Sequence, residues 1–129
     1  MKYFYPILFC IISNLSIAQN APEVAKQNIS TDANVEFRIF ATKNMYTFIK
    51  LNTTNGKMTQ IQWGTETKNR FETVLSNTSL VSPEGEIPGR FFLYPTSNLY
   101  NFILLDQIDG RAWQVQWGKE NERMVLRIH

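Results

Sequence analysis

The sequence has almost none of the groups that disulfides, metal sites and nucleophilic catalysis need. Its 129 residues include one cysteine, Cys10, and one histidine, the terminal His129. A nucleophilic dyad in this chain would lack its histidine base, and a zinc site would lack a cluster of ligating side chains. We therefore expect no metal and no cofactor, and we predict that the protein is not an enzyme.

The sequence also has no large excess of charge of one sign and no long hydrophobic run. Lys and Arg number 13 against 11 Asp and Glu, a formal net charge of +2 that becomes +1 without Lys2 (12 − 11). This balance offers no electrostatic footprint for nucleic acid or anionic lipid. The apolar run Tyr3–Ile12 is too short for a stable transmembrane anchor. We expect no nucleic-acid partner and no membrane anchor after processing.

The first residues have the pattern of a secretory signal peptide. Lys2 gives a positive start, the apolar run follows, and Ser16-Ile17-Ala18 ends it with small residues. Cleavage after Ala18 makes residues 1–18 a leader and predicts a periplasmic or secreted protein. Lipidation of Cys10 is disfavoured because large apolar residues precede it. The mature chain then has no disulfide, so its core must hold it together.

What the sequence does have is an internal repeat. Residues 37–66 reappear as residues 91–120, 54 positions later, and a repeat at this period means one supersecondary unit used twice. Thirteen of the thirty positions are identical: Phe37/Phe91, Thr42/Thr96, Asn44/Asn98, Tyr46/Tyr100, Phe48/Phe102, Ile49/Ile103, Leu51/Leu105, Gly56/Gly110, Gln60/Gln114, Gln62/Gln116, Trp63/Trp117, Gly64/Gly118 and Glu66/Glu120.

The repeat also divides the chain. We predict a flexible polar segment over residues 19–34, repeat A over 35–75, a turn-rich connector over 76–89 and repeat B over 90–129. The connector is short enough for the two repeats to pack together. Repeats and connector together then form one domain.

Each repeat predicts four β-strands. Short β-prone and alternating runs are separated by turn residues, and Asn55-Gly56 and Asp109-Gly110 are strong hairpin signals. We predict an all-β fold of two four-stranded antiparallel units, packed as a small barrel or a two-sheet sandwich. Four strands in about fifty residues also fit a propeller blade. Two blades cannot close a ring, so that version would require several chains.

Period-two alternation assigns side chains to two faces of each unit. The tryptophan face carries Trp63 in repeat A, and Trp113 and Trp117 in repeat B; the glutamine face carries Gln60, Gln62, Gln114 and Gln116. We expect the tryptophan face of both repeats to be core, since burying a large aromatic side chain contributes about 2–3 kcal/mol. The glutamine face is then expected to be exposed or to line a groove.

The candidate binding residues follow from these faces. Paired amides donate and accept hydrogen bonds, which suits sugar hydroxyls or a peptide backbone, and tyrosines could supply a stacking surface. The candidates are Gln60, Gln62, Gln114, Gln116, Tyr46 and Tyr100. The alternative is structural, because alternating Gln is common on a half-exposed sheet.

Acidic residues provide two further hypotheses. Asp106 and Asp109 flank a hairpin turn, where hydrogen bonds to backbone amides are a better explanation than calcium. Glu66 and Glu120 occupy matching places and could form the carboxylate pair of a hydrolase. A solvated strand end is the simpler role for both.

Two segments of repeat B are Leu93-Tyr94-Pro95-Thr96-x-Asn98-x-Tyr100-x-Phe102-x-Leu104-Leu105-Asp106 and Gly110-Arg111-x-Trp113-Gln114-Val115-Gln116-Trp117. With them the chain resembles small exported bacterial proteins of unknown function, of the kind found in Bacteroidota. The resemblance covers both repeats and is stronger in the second. Repeat A departs from it at Ala41 and Thr59. The resemblance implies export and no particular activity.

These observations favour an exported, non-catalytic binding protein. Its ligand would be a protein, for example a periplasmic toxin that an immunity-like inhibitor blocks, or a glycan. Two half-sites would allow bivalent contact. One alternative is a structural subunit of an envelope assembly that forms homo-oligomers through open sheet edges. The other is the hydrolase that uses acidic residues.

Overall fold

The computed structural model describes residues 32–129, which form eight β-strands in two antiparallel sheets. Sheet A consists of β1 (Phe37–Ala41), β2 (Thr47–Asn52), β3 (Met58–Gln62) and β4 (Phe71–Ser76). Sheet B consists of β5 (Phe91–Pro95), β6 (Asn101–Asp106), β7 (Ala112–Gln116) and β8 (Met124–Ile128). In both sheets the spatial order equals the chain order. The predicted all-β fold of two four-stranded units is confirmed; the predicted leader lies outside the described residues.

The tightest turn of each sheet depends on a glycine. Gly56 and Gly110 have φ angles of 82° and 79°, in the left-handed region that other residues resist. Gly56 N donates to Asn52 O at 3.0 Å, and Gly110 N donates to Asp106 O at 2.9 Å. The two predicted hairpin turns are therefore confirmed, and they have the same geometry.

The two sheets pack with unlike faces in contact. Sheet B buries its tryptophan face, as predicted: Trp113 and Trp117 are 6% and 5% exposed. Sheet A buries its glutamine face instead, with Met58 at 1% and Gln60 at 7%, while Trp63 is 44% exposed. The prediction that repeat A hides its tryptophan face and opens its glutamine face is wrong.

The physical reason is that alternation shows which residues share a face but not which face meets a partner. Both faces of sheet A carry apolar residues, so the pattern permits either to be buried. Packing unlike faces places the second sheet on the first as a successive layer of a stack, with no two-fold relation between them. The core comes from both layers: Phe40, Ile49, Leu51, Met58, Leu75, Phe91, Leu93, Phe102, Leu104, Trp113, Val115 and Trp117.

The result is a two-layer stack, and the described residues form no closed barrel. The connector contributes to the core through Leu80 and Val81, which pack against it. At its end, Gly89 N donates to Thr53 Oγ1 at 2.9 Å, and Phe91 N donates to Thr53 O at 2.8 Å. The start of sheet B is thus tied to the end of β2. Between residues 32 and 129 no helix is long and apolar enough to cross a membrane.

Candidate functional site

A side-chain clamp joins the two sheets at one end of the stack. Gln60 Nε2 donates to Gly118 O at 3.1 Å, and Gly118 N donates to Gln60 Oε1 at 2.9 Å. One amide thus pairs with both polar groups of a backbone unit in the other sheet. Gln60, predicted as a ligand-binding residue, has both ends of its amide engaged in this contact, and its observed role is structural.

Arg123 extends the clamp toward the outer strands. Its Nε donates to Gly118 O at 2.9 Å, and its Nη1 reaches Val74 O in β4 at 3.3 Å. The guanidinium therefore bridges the loop before β8 and the last strand of sheet A. The clamp and this bridge hold the two sheets at a defined separation.

A groove opens beside the clamp, between the two sheets. This Trp117 groove has a volume of about 640 Å³, within the range of small-molecule sites. It brings together three of the predicted residues, Gln60, Gln62 and Tyr100. Its complete lining is Lys43, Asn44, Thr47, Gln60, Gln62, Phe71, Leu99, Tyr100, Trp117, Gly118, Lys119, Glu122 and Arg123.

The aromatic wall of the groove contains an unpaired hydrogen-bond donor. Tyr100 and Trp117 pack with ring centroids 5.1 Å apart, and the equivalent Tyr46 and Trp63 have the same spacing. Trp63 Nε1 donates to Met45 O at 2.8 Å. Trp117 Nε1 is buried and has no hydrogen-bond partner within residues 32–129. Such a donor costs about 1–3 kcal/mol, and its nitrogen is closed to the groove because it has essentially no solvent-accessible surface.

The charges around the groove are unequal. Three cations, Lys43, Lys119 and Arg123, line it together with a single carboxylate, Glu122. Because the cations outnumber the carboxylate three to one, the charged lining of the groove is richer in donors than in acceptors. The arrangement suits a ligand that carries hydrogen-bond acceptors, including carboxylates.

The other predicted residues lie elsewhere. Tyr46 and Trp63 line a second, smaller hollow that Gln62 also borders. Gln114 and Gln116 lie on the outward face of sheet B, where Gln114 Nε2 donates to Asn101 Oδ1 at 2.8 Å and Gln116 Nε2 to Glu122 O at 3.0 Å. The structure therefore divides the six candidates among three places: the Trp117 groove, this hollow and the outward face of sheet B.

A buried carboxylate that the binding hypothesis did not include holds one end of sheet B. Asp106 is fully buried and accepts hydrogen bonds from Arg90 Nε at 3.0 Å and from Arg111 Nη2 at 3.2 Å. The amides of Ile108 and Asp109 also donate to it, at 3.0 and 3.3 Å, which confirms its predicted turn role. Burial acts to raise the pKa of Asp106, but these hydrogen bonds prevail and lower it from 3.8 to about 2.

A signal for this network is present in the sequence. At the equivalent positions repeat A has Asn52 for Asp106, Glu36 for Arg90 and Lys57 for Arg111. The carboxylate and the first arginine thus occur together in repeat B and are both missing from repeat A. Only the fold shows that they meet.

The acidic residues of the hydrolase hypothesis lie on exposed turns. Glu66 forms an ion pair with Lys68 at 3.3 Å, and Glu120 begins the exposed 3-10 turn Glu120–Glu122. Among residues 32–129 no three His, Cys, Asp or Glu side chains are grouped to hold a metal ion. Asp109 uses its carboxylate for Arg111, with Oδ2 2.6 Å from Arg111 Nε.

The Trp117 groove is therefore the candidate binding site of this fold. It combines a stacked Tyr–Trp pair, the Gln62 amide and a surplus of cations. Comparison of the chain with protein-family models, with curated proteins and with solved structures found no match.

Proposed function

We propose that the chain is an exported, non-catalytic binding protein of the periplasm or cell exterior, and that the Trp117 groove takes a glycan with exposed acceptor oxygens. The single observation that carries this proposal is the groove itself, in which the stacked rings of Tyr100 and Trp117 lie beside three cations.

Size favours a glycan over a folded protein as the occupant. The groove volume of about 640 Å³ matches small-ligand sites, whereas a stable protein partner needs about 800 Å² of surface on each side. Tyr100 is 44% exposed beside Trp117, so it offers an edge on which a sugar ring can pack. The cations Lys43 and Lys119 favour acidic sugars.

The test is a glycan array probed with the labelled protein, followed by calorimetry with the glycan that binds. Trp117→Phe removes the indole N–H and keeps an aromatic ring. We expect it to weaken binding about twofold to tenfold, because the smaller ring loses packing against the ligand worth about 0.5–1.5 kcal/mol. Trp113→Phe is the matched control, because Trp113 is equally buried on the same face and does not line the groove.

Two results would contradict the proposal. Equal affinity of wild type and Trp117→Phe would remove the indole from the site. In the second, no glycan on the array binds, and the wild-type protein captures an envelope protein or toxin that Trp117→Phe does not retain. That result would assign the groove to a protein partner.

A further inference from the structure

Both outer faces of the stack are strongly apolar. Ile39 on sheet A and Tyr94 on sheet B are 52% and 42% exposed, and each is surrounded by other large apolar side chains. Contiguous apolar surface of this kind marks an interaction site. The large apolar residues on these faces are Phe37, Ile39, Phe48, Ile61, Trp63 and Val74 on sheet A, and Phe92, Tyr94, Ile103, Leu105, Met124, Leu126 and Ile128 on sheet B. Of these, Phe92 lies on the edge strand β5 and also packs against Phe40 of sheet A, with ring centroids 5.2 Å apart.

Each outer face is the repeat-equivalent of an inner face. The outer face of sheet A is a tryptophan face, like the one that sheet B buries. The outer face of sheet B is a glutamine face, like the one that sheet A buries. Exposed positions thus correspond to core positions in the other repeat: Phe37 to Phe91, Ile39 to Leu93, Phe48 to Phe102, Trp63 to Trp117, Tyr94 to Phe40, Ile103 to Ile49 and Leu105 to Leu51.

We infer that a second copy of this chain packs its sheet A on the outer face of sheet B and repeats the junction inside the chain. This contact is head to tail, so each copy keeps one free face, and repetition ends only when a ring closes. Four-stranded meanders stacked around an axis are the blades of a β-propeller, which has about four to eight blades. Two blades per chain then give rings of two, three or four chains.

Hydrogen-bonding groups at the outer faces are placed to repeat the clamp. Gln114 occupies the position of Gln60, and Gly64 that of Gly118. Between copies, the Gln114 amide would pair with the backbone of Gly64 in the second copy. Within one chain Gln114 is half-buried and bonded to Asn101, so it changes partner on assembly.

The same repetition would complete a second groove. In one chain the hollow beside Tyr46 and Trp63 has one wall, contributed by sheet A. In the Trp117 groove, Gln60 and Gln62 form part of one wall. In the second groove, Gln114 and Gln116 of the neighbouring copy would form the corresponding wall. All six residues predicted from the sequence would then face grooves of one type, one groove per blade. The ring itself does not depend on the ligand proposed above.

One ion pair on the contact face is compatible with burial. Lys50 and Glu72 are side by side on the outer face of sheet A, and the Glu72 carboxylate also accepts a hydrogen bond from Thr59 Oγ1 at 2.6 Å. The hydrogen bond from Lys50, above all, lowers the pKa of Glu72. The pair is neutral as a unit, so the second copy meets no net charge there.

The first test is the mass of the purified chain in solution, by light scattering over a wide range of concentration. We expect one species of two, three or four chains. A monomer at every concentration overturns the inference, and a mass that keeps growing with concentration overturns ring closure.

Variants test the head-to-tail geometry. Ile39→Asp blocks only the outer face of sheet A, and Tyr94→Asp blocks only that of sheet B. Each alone should be a monomer, and circular dichroism checks that it is folded. Mixed together they retain one intact pair of faces, so they should form a one-to-one heterodimer and nothing larger.

Other outcomes of the mixing experiment overturn the inference. Loss of assembly with only one of the two variants would indicate a symmetric contact between like faces. Failure of the folded monomers to pair would exclude the contact. Glu84→Lys is the control, because Glu84 is exposed in the connector turn Pro83–Gly85 and belongs to neither sheet, so it should leave the ring intact.

Discussion

Replacing Asp106 by Asn tests the buried charge network at the end of sheet B. Asn keeps an oxygen for the turn amides, as Asn52 does in repeat A, but it removes the negative charge that faces Arg90 and Arg111. The pKa of Asp106 is lowered from 3.8 to about 2 in the folded protein. At about 1.4 kcal/mol per pKa unit, the charged form contributes about 2 kcal/mol at neutral pH.

The pH dependence identifies the cause. The folded-state pKa lies below the unfolded-state value, so the stabilisation is complete above pH of about 4 and is lost as the pH falls toward 2. We expect Asp106→Asn to lower the free energy of unfolding by about 2 kcal/mol at pH 7, roughly 10 °C in Tm for a domain of this size. The difference from wild type should shrink toward zero near pH 2.

The assay is urea unfolding followed by tryptophan fluorescence at several pH values. Protein concentration is held constant, because self-association raises apparent stability. Asp109→Asn is the control: its side chain is 38% exposed, and an exposed pair of this kind is worth less than about 1 kcal/mol. If wild type exceeded Asp106→Asn in free energy of unfolding by the same amount at pH 7 and near pH 2, the charge of Asp106 could not be the source of the difference. That result would refute the argument.

Two smaller substitutions test other contacts by the same unfolding assay. Gln60→Ala leaves the Gly118 N–H without its side-chain acceptor and should lower the free energy of unfolding by about 1–3 kcal/mol, while Gln116→Ala should cost less than about 1 kcal/mol; equal losses would contradict the clamp. Gly89→Ala should cost more than Gly110→Ala, since both have positive φ but an alanine Cβ at position 89 would lie 2.1 Å from a backbone oxygen and at position 110 in open space. Equal costs would mean that φ alone decides, and the reverse order would contradict the close contact at position 89.

The strand content and the hairpins could be predicted because their causes are local. Asn55-Gly56 and Asp109-Gly110 specify tight turns through residues adjacent in sequence. The 54-residue repeat then indicated that both halves have the same order of strands, and the observed β1–β4 and β5–β8 agree. Strand positions differed from the predicted runs by only a residue or two.

The burial of sheet A could not be predicted because it depends on a choice between two apolar faces. Trp63 and Trp117 occupy equivalent positions with nearly the same neighbours, yet one is 44% exposed and the other 5%. The difference arises from the layer each sheet occupies, which no local pattern records. For the same reason the contact between Gln60 and Gly118 could not be predicted, because the two residues are 58 positions apart.

A stack in which each sheet packs its glutamine face on the tryptophan face of the next has a direction. Adding or removing one 54-residue repeat therefore leaves the two terminal faces of the stack unchanged in type. Unequal crossing-over within such a gene would therefore yield longer or shorter products that need no new contact chemistry. Asp106, Arg90 and Arg111 differ from their counterparts in repeat A, so the two repeats now have different charge networks at this end.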